Sequence, residues 1–184
     1  MSVSEFASWQ LHSKLLEALH EKNIHTPTDI QARAIPRILA GDDVIARSDT
    51  GTGKPLAYLL PLLHRLNPDA TTVQAVVLAP TQELAVQIAA EANHYGAPLG
   101  LSTVPLIGGA SVRRQLDKLK SRPQLVTGTA GRLLELINMK KLKMHGVQTI
   151  VIDEADHVLA QGEMSLADDI IGRALRDRQL LLFS

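Results

Sequence analysis

The sequence predicts an α/β fold, a mostly parallel sheet flanked by helices on both faces, and three observations carry that expectation. Short aliphatic runs alternate with longer amphipathic ones along most of the 184 residues, the pattern of strands joined by helical crossovers. The composition is 45% hydrophobic but only 3% aromatic, so the core is built from Leu, Ile, Val and Ala, as in sheets buried on both faces. The first aliphatic run also opens directly into a glycine-rich turn and then a helical stretch, and in open α/β sheets ligands bind just beyond the carboxyl ends of strands.

Taken in order, Leu11, Leu15, Leu16 and Leu19 recur at helical spacing and predict a helix within residues 9–22, with a second over 28–40. Strands are expected at 44–46, 75–79, 102–106, 124–127, 149–153 and 180–183. Between them the apolar spacing predicts helices over 54–66, 81–95, 111–119, 130–139 and 165–175. Units of this length imply right-handed crossovers. The turn-rich stretch 67–72 reads as a surface loop, so residues 1–184 form one domain.

Lys plus Arg equals Asp plus Glu at 19 each, so any contact with a polyanion must be local rather than driven by net charge. The absence of cysteine excludes a disulfide framework and a thiolate metal site, and fits a reducing compartment. No apolar run approaches the roughly eighteen residues of a membrane span. A cytoplasmic protein without membrane contact is the expectation. The seven histidines show no ligand spacing.

Ser48, Asp49, Thr50, Gly51, Thr52, Gly53 and Lys54 follow the first strand. Glycines let backbone amides curl round an anion, the next helix adds positive potential at its N-terminus, and Lys54 supplies a charge for outer phosphates. A plain glycine-rich turn with a surface lysine is the alternative, since Ser48 and Pro55 break the general phosphate-loop pattern at both ends. Near residue 150, an apolar strand ends in Asp153, Glu154, Ala155 and Asp156. Carboxylates there suit a magnesium ion on the outer phosphates and a general base for water; alone, they also suit an acidic helix N-terminus. Together, in this order, loop and acids favour a nucleotide site.

The letters Asp153, Glu154, Ala155 and Asp156 spell the signature of the DEAD-box RNA helicases, and other segments resemble that family in the same order. Residues 23–31 are similar to its Q motif, with Phe6 as the upstream aromatic; residues 80–85 resemble motif Ia, Gly108 and Gly109 its paired glycines, and residues 127–132 motif Ib. Residues 180–184 look like the strand entering motif III, which opens at Ser184. The resemblance implies a three-layer RecA-like N-terminal domain that binds ATP and Mg2+. It further implies that Gln31 reads the adenine edge, that Phe6 stacks on the ring, and that Thr26, Pro27 and Thr28 shape the pocket. Asp49, Thr50, Gly51, Thr52, Gly53 and Lys54 would hold the phosphates, Asp153 the metal through water, and Glu154 would be the base. Asp156 and Ser184 would couple to motif III. Pro80, Thr81, Gln82, Glu83, Gly108, Gly109, Thr129, Gly131 and Arg132 would line a sequence-independent RNA track.

Three positions depart from the family pattern. Pro55 replaces a hydroxyl residue that coordinates magnesium, and lacks an amide hydrogen as well. Gln82 stands for an arginine of motif Ia, and Ala130 for the proline of motif Ib. The expectation is therefore weakened Mg-ATP binding, in an enzyme whose second RecA-like domain, carrying the arginines for phosphoryl transfer, lies beyond this chain. Alone, the chain is expected to turn over little ATP. The other reading is a degenerate module that holds RNA or a protein without turnover.

Overall fold

The computed structural model describes residues 5–49, 51–109 and 111–184. Six strands, β1 (Val44–Ala46), β2 (Ala75–Leu78), β3 (Thr103–Leu106), β4 (Leu125–Gly128), β5 (Thr149–Ile152) and β6 (Gln179–Phe183), form one sheet in the order β1-β6-β5-β2-β4-β3. Every pairing among the described residues is parallel, so the expected sheet is observed in its purest form. The helices are α1 (Glu5–Ser8), α2 (Ser13–Glu21), α3 (Asp29–Leu39), α4 (Lys54–Arg65), α5 (Gln82–Gly96), α6 (Val112–Leu119), α7 (Ala130–Asn138), α8 (Ala155–Ala160) and α9 (Met164–Gly172).

The two-residue period of the strands sorts their side chains between two cores. Ala75, Val77, Val151, Leu181 and Phe183 pack with α2, α3, α4 and α5 on one face. Val76, Leu78, Ile150 and Ile152 pack with α7 and α9 on the other. All four residues of β2, β4 and β5 are buried, which is why β2 and most of β5 read as continuous aliphatic runs.

Leu78 is level with Gly128 and with Ile152, and Gly128 in turn with Leu106. The strands therefore finish together, and the loops that leave them share one edge of the sheet. Gly128 is required there: a β-carbon would overlap the Leu106 carbonyl oxygen of β3 and press on Leu133. The short α8 is absent from the sequence expectation because its six residues give too little periodicity. The last helix ends at Gly172, three residues before the expected 175, consistent with the poor helix propensity of glycine.

Candidate nucleotide and nucleic-acid site

The candidate phosphate loop joins β1 to α4. Gly51 and Gly53 lie at φ +80° and +82°, a region that glycine enters without steric cost. Gly53 caps the twelve-residue α4, with Pro55 in its first turn, where the missing amide hydrogen is tolerated by the helix. The loop is closed on itself. Lys54 Nζ donates to the Ser48 carbonyl at 2.8 Å, the Ser48 and Thr52 hydroxyls are 2.6 Å apart, and Thr52 donates to the Asp49 carbonyl at 2.7 Å. Thr50 lies outside the described residues.

Opposite stands the acidic end of β5. Asp153 is buried, accepting from the Tyr58 hydroxyl at 2.8 Å and from the Glu154 amide at 2.9 Å. Burial raises its carboxyl above the usual range, while those two hydrogen bonds and the charge of Lys54 oppose the shift. Tyr58 is fully buried, and burial followed by the Asp153 charge pushes its phenol well up, so it stays a donor. Glu154 adopts φ 48°, ψ 50°, a left-handed conformation that costs a non-glycine residue about 1 to 3 kcal/mol and gathers at functional sites. Its carboxylate pairs with His157 Nδ1 at 2.9 Å. The Ser184 hydroxyl holds Asp156 below the usual carboxylate range. Ser184 also donates its amide to Ala46 and accepts from the Ser48 amide, which fixes the acidic side against the start of the loop.

The two halves face each other across a cleft of about 650 Å³, with Asp49, Thr52 and Lys54 on one wall and Glu154, Asp156 and Ser184 on the other. The Glu154 hydrogen bond, then its charge, raise the His157 pKa. The imidazolium pairing is therefore complete at low pH and is lost as pH rises through the elevated value. In an NMR titration His157 should deprotonate above the ordinary histidine value of about 6.5, and Glu154→Gln should bring it back; the same midpoint in both proteins would contradict the pairing.

Both residues expected at the adenine are buried. Phe6 has no exposed surface and packs edge-on to Trp9, ring centres 5.5 Å apart, as part of the core. Gln31 is likewise buried at 2% exposure. Its Oε1 accepts from the Thr28 amide at 3.0 Å and its Nε2 donates to the Gly53 carbonyl at 3.1 Å. Gln31 therefore ties the start of α3 to the glycine-rich loop. A β-carbon at Gly53 would overlap that Nε2, so the glycine serves this contact as well as the turn. Thr28 lines the cleft, whereas Thr26 is exposed outside its lining.

On the other half of the same edge, the ends of β2, β3 and β4 bring the remaining predicted residues together. Thr81 caps α5, accepting from the Leu84 amide at 3.2 Å, and the Gln82 carboxamide lies against Gly108 and Gly109. Thr81, Gln82, Glu83, Gly109 and Gly131 are exposed, Gly108 is half-exposed, and Pro80 is buried. Thr129 occupies the cap position of α7 without a side-chain capping bond. Arg132 is not an open surface group. Its side chain is 10% exposed, paired with Glu135 at 3.2 Å, and its Nη1 is buried without a hydrogen-bond partner.

Sequence reasoning missed Tyr58, which is indistinguishable by spacing from the apolar residues around it, and His157, whose position three residues after Glu154 on a helix was the available signal. It also missed Arg33 and Arg47, both at the cleft. Among the described residues no helix is long and apolar enough to cross a membrane.

Comparison with known proteins agrees with this geometry. The family model described as DEAD/DEAH box helicase matches residues 28–184. The chain is 52% identical over 170 residues to the DEAD-box ATP-dependent RNA helicase CshC of Bacillus cereus, covering 92% of this chain and 44% of that protein. It is 46% identical over 172 residues to the probable ATP-dependent RNA helicase YfmL of Bacillus subtilis, covering 94% and 46%. The chain thus spans just under half the length of these relatives. The crystal structure of a DEAD box protein from Methanococcus jannaschii superposes with a TM-score of 0.91 at 33% identity, over 95% of this chain and 48% of that one. A phosphate loop facing the Asp-Glu-Ala-Asp strand end, on this sheet and with these relatives, establishes that the chain belongs to the DEAD/DEAH box helicase family.

Proposed function

We propose that this chain is the N-terminal, ATP- and RNA-binding half of an RNA helicase working in the cytoplasm. Together with a second RecA-like domain it couples nucleotide hydrolysis to local opening of RNA duplexes. The observation that carries this reading is the shared edge: Lys54 and Glu154 line one cleft, with the Asp153 carboxyl buried beside Glu154 and within reach of the Lys54 charge, and the exposed loops after β2, β3 and β4 continue along the same line of strand ends.

The donor set fits a nucleoside triphosphate well and its magnesium in part. Two left-handed glycines, the α4 N-terminus and Lys54 suit the phosphates, while Asp153 is left as the protein's contribution to the metal because Pro55 has no hydroxyl. Bound magnesium would neutralise charge on the outer phosphates. For phosphates to enter, Lys54 exchanges the Ser48 carbonyl for phosphate oxygens and Thr52 gives up its contacts within the loop. Glu154 takes a proton from the attacking water, which requires its carboxylate to be released by His157. On the RNA side, the exposed amides and hydroxyls near Thr81, Gln82 and Gly109 hold sugar and phosphate without reading bases.

RNA binding measured with and without Mg-ATP tests the reading: nucleotide should tighten binding of a short single strand, and loss of all RNA binding in both conditions would defeat it. Gln82→Arg should tighten RNA binding and steepen its salt dependence by about one unit of log–log slope; an unchanged slope would remove residue 82 from the track. A second reading, a binding module without turnover, is favoured by Pro55 and by the closed loop. It forecasts RNA binding that is indifferent to nucleotide.

A further inference from the structure

The zero net charge conceals a strong segregation. Between residues 113 and 145 there are nine Lys and Arg against two carboxylates, which leaves the rest of the chain with ten against seventeen. The structure gathers part of this excess on the flank of the sheet built from α6 and the segment after α7. One groove of about 430 Å³ is lined by Arg113, Lys120 and Lys141 together with Leu116, Leu119 and a single carboxylate, Asp117. A second groove of about 430 Å³, lined by Lys140, Lys143 and Arg173, has no carboxylate in its lining. Lys140 and Lys141 are chain neighbours, so the two grooves meet there. Lys120 pairs with Asp117 at 2.7 Å; Arg113, Lys140, Lys141 and Lys143 are exposed and have no ion pair among the described residues.

Such an arrangement is costly to leave empty of anions, because like charges held together repel one another. Its position supplies the partner. Val112 begins α6 three residues after Gly109, so the flank starts where the proposed RNA track ends and runs down a helix of eight residues, about 12 Å at 1.5 Å per residue. We propose that this flank is a second RNA-contact surface, which takes the phosphodiester backbone of the duplex arm next to the single strand on the track. The proposal rests on the RNA-binding reading above. It assigns this flank a task that the strand-end loops do not perform: anchoring the duplex to be opened, through charge and without base contacts.

The test compares this chain with a variant carrying Lys140→Gln, Lys141→Gln and Lys143→Gln, using a short single-stranded RNA and the same strand extended into a duplex arm. All three lysines are exposed, and circular dichroism verifies that the variant folds. The expected result is at least roughly tenfold weaker binding of the tailed duplex near 0.1 M salt. Its salt slope should fall by about two to three units, at 0.7 to 0.9 for each lost phosphate contact. Binding of the single strand should be unchanged, and replacing the three lysines by arginine should retain the wild-type values. Equal affinity and slope for the tailed duplex in both proteins would overturn the proposal and leave a solvated charged face. Loss of poly-glutamate binding alone, with duplex binding intact, would overturn it in favour of an acidic protein partner. If the wild-type chain binds neither RNA, the RNA reading itself fails and takes this inference with it.

Discussion

Replacing Pro55 by threonine is expected to tighten Mg-ATP binding by about two to four orders of magnitude. The reasoning is local. Residue 55 stands in the first turn of α4, immediately after Lys54, where an amide would donate to phosphate and a hydroxyl would reach the metal. Proline supplies neither. Each contact to a charged group is worth about 1.5 to 3 kcal/mol, and two of them convert to that range of affinity. The helix does not explain the proline away: a first-turn position tolerates proline but does not demand it. Calorimetry on the two proteins decides the matter, and equal micromolar affinity for both would show that residue 55 does not face the nucleotide.

The second large effect is expected at Glu154. Its left-handed backbone is held by the hydrogen bond from its amide to Asp153 Oδ1 and by the hydrogen bond between its carboxylate and His157, so strain is maintained at a position where a proton acceptor faces the cleft. Glu154→Gln should lower RNA-stimulated phosphate release by roughly two to four orders of magnitude, the usual contribution of a general base. It should leave nucleotide affinity nearly unchanged, because binding depends on Lys54 and the loop amides. The comparison belongs in this chain fused to the second RecA-like domain proposed above. A glutamine variant that releases phosphate at the wild-type rate would remove Glu154 from the chemistry.

Much of the fold was legible because the sheet is buried on both faces. Runs such as Ala75 to Leu78 and Thr149 to Ile152 carry no competing helical period, and their neighbours do. The cleft between the glycine-rich loop and the acids was legible for a different reason: glycine spacing and adjacent carboxylates at strand ends are chemical signals that packing alone does not produce. The packing role of Gln31 was not legible: a glutamine three residues after Thr28 suggests a cap partner, but its carboxamide nitrogen bonding Gly53 is a tertiary contact. The resemblance located Phe6 as an aromatic but not its burial. Tyr58 was invisible, since a phenol on the apolar face of α4 looks like core until the Asp153 contact is seen. The charge segregation was present in the sequence but averaged away in the net charge.

The central claim is that a triphosphate enters between the loop and the acids. A crystal structure with magnesium and a non-hydrolysable ATP analogue at saturating concentration, in the Pro55→Thr variant if affinity requires it, tests this most directly. The account predicts phosphates against the Gly51 and Gly53 turn, Lys54 withdrawn from the Ser48 carbonyl and turned to them, and the terminal phosphate beside Asp153 and Glu154. An analogue bound elsewhere, with Lys54 still on Ser48, would contradict it.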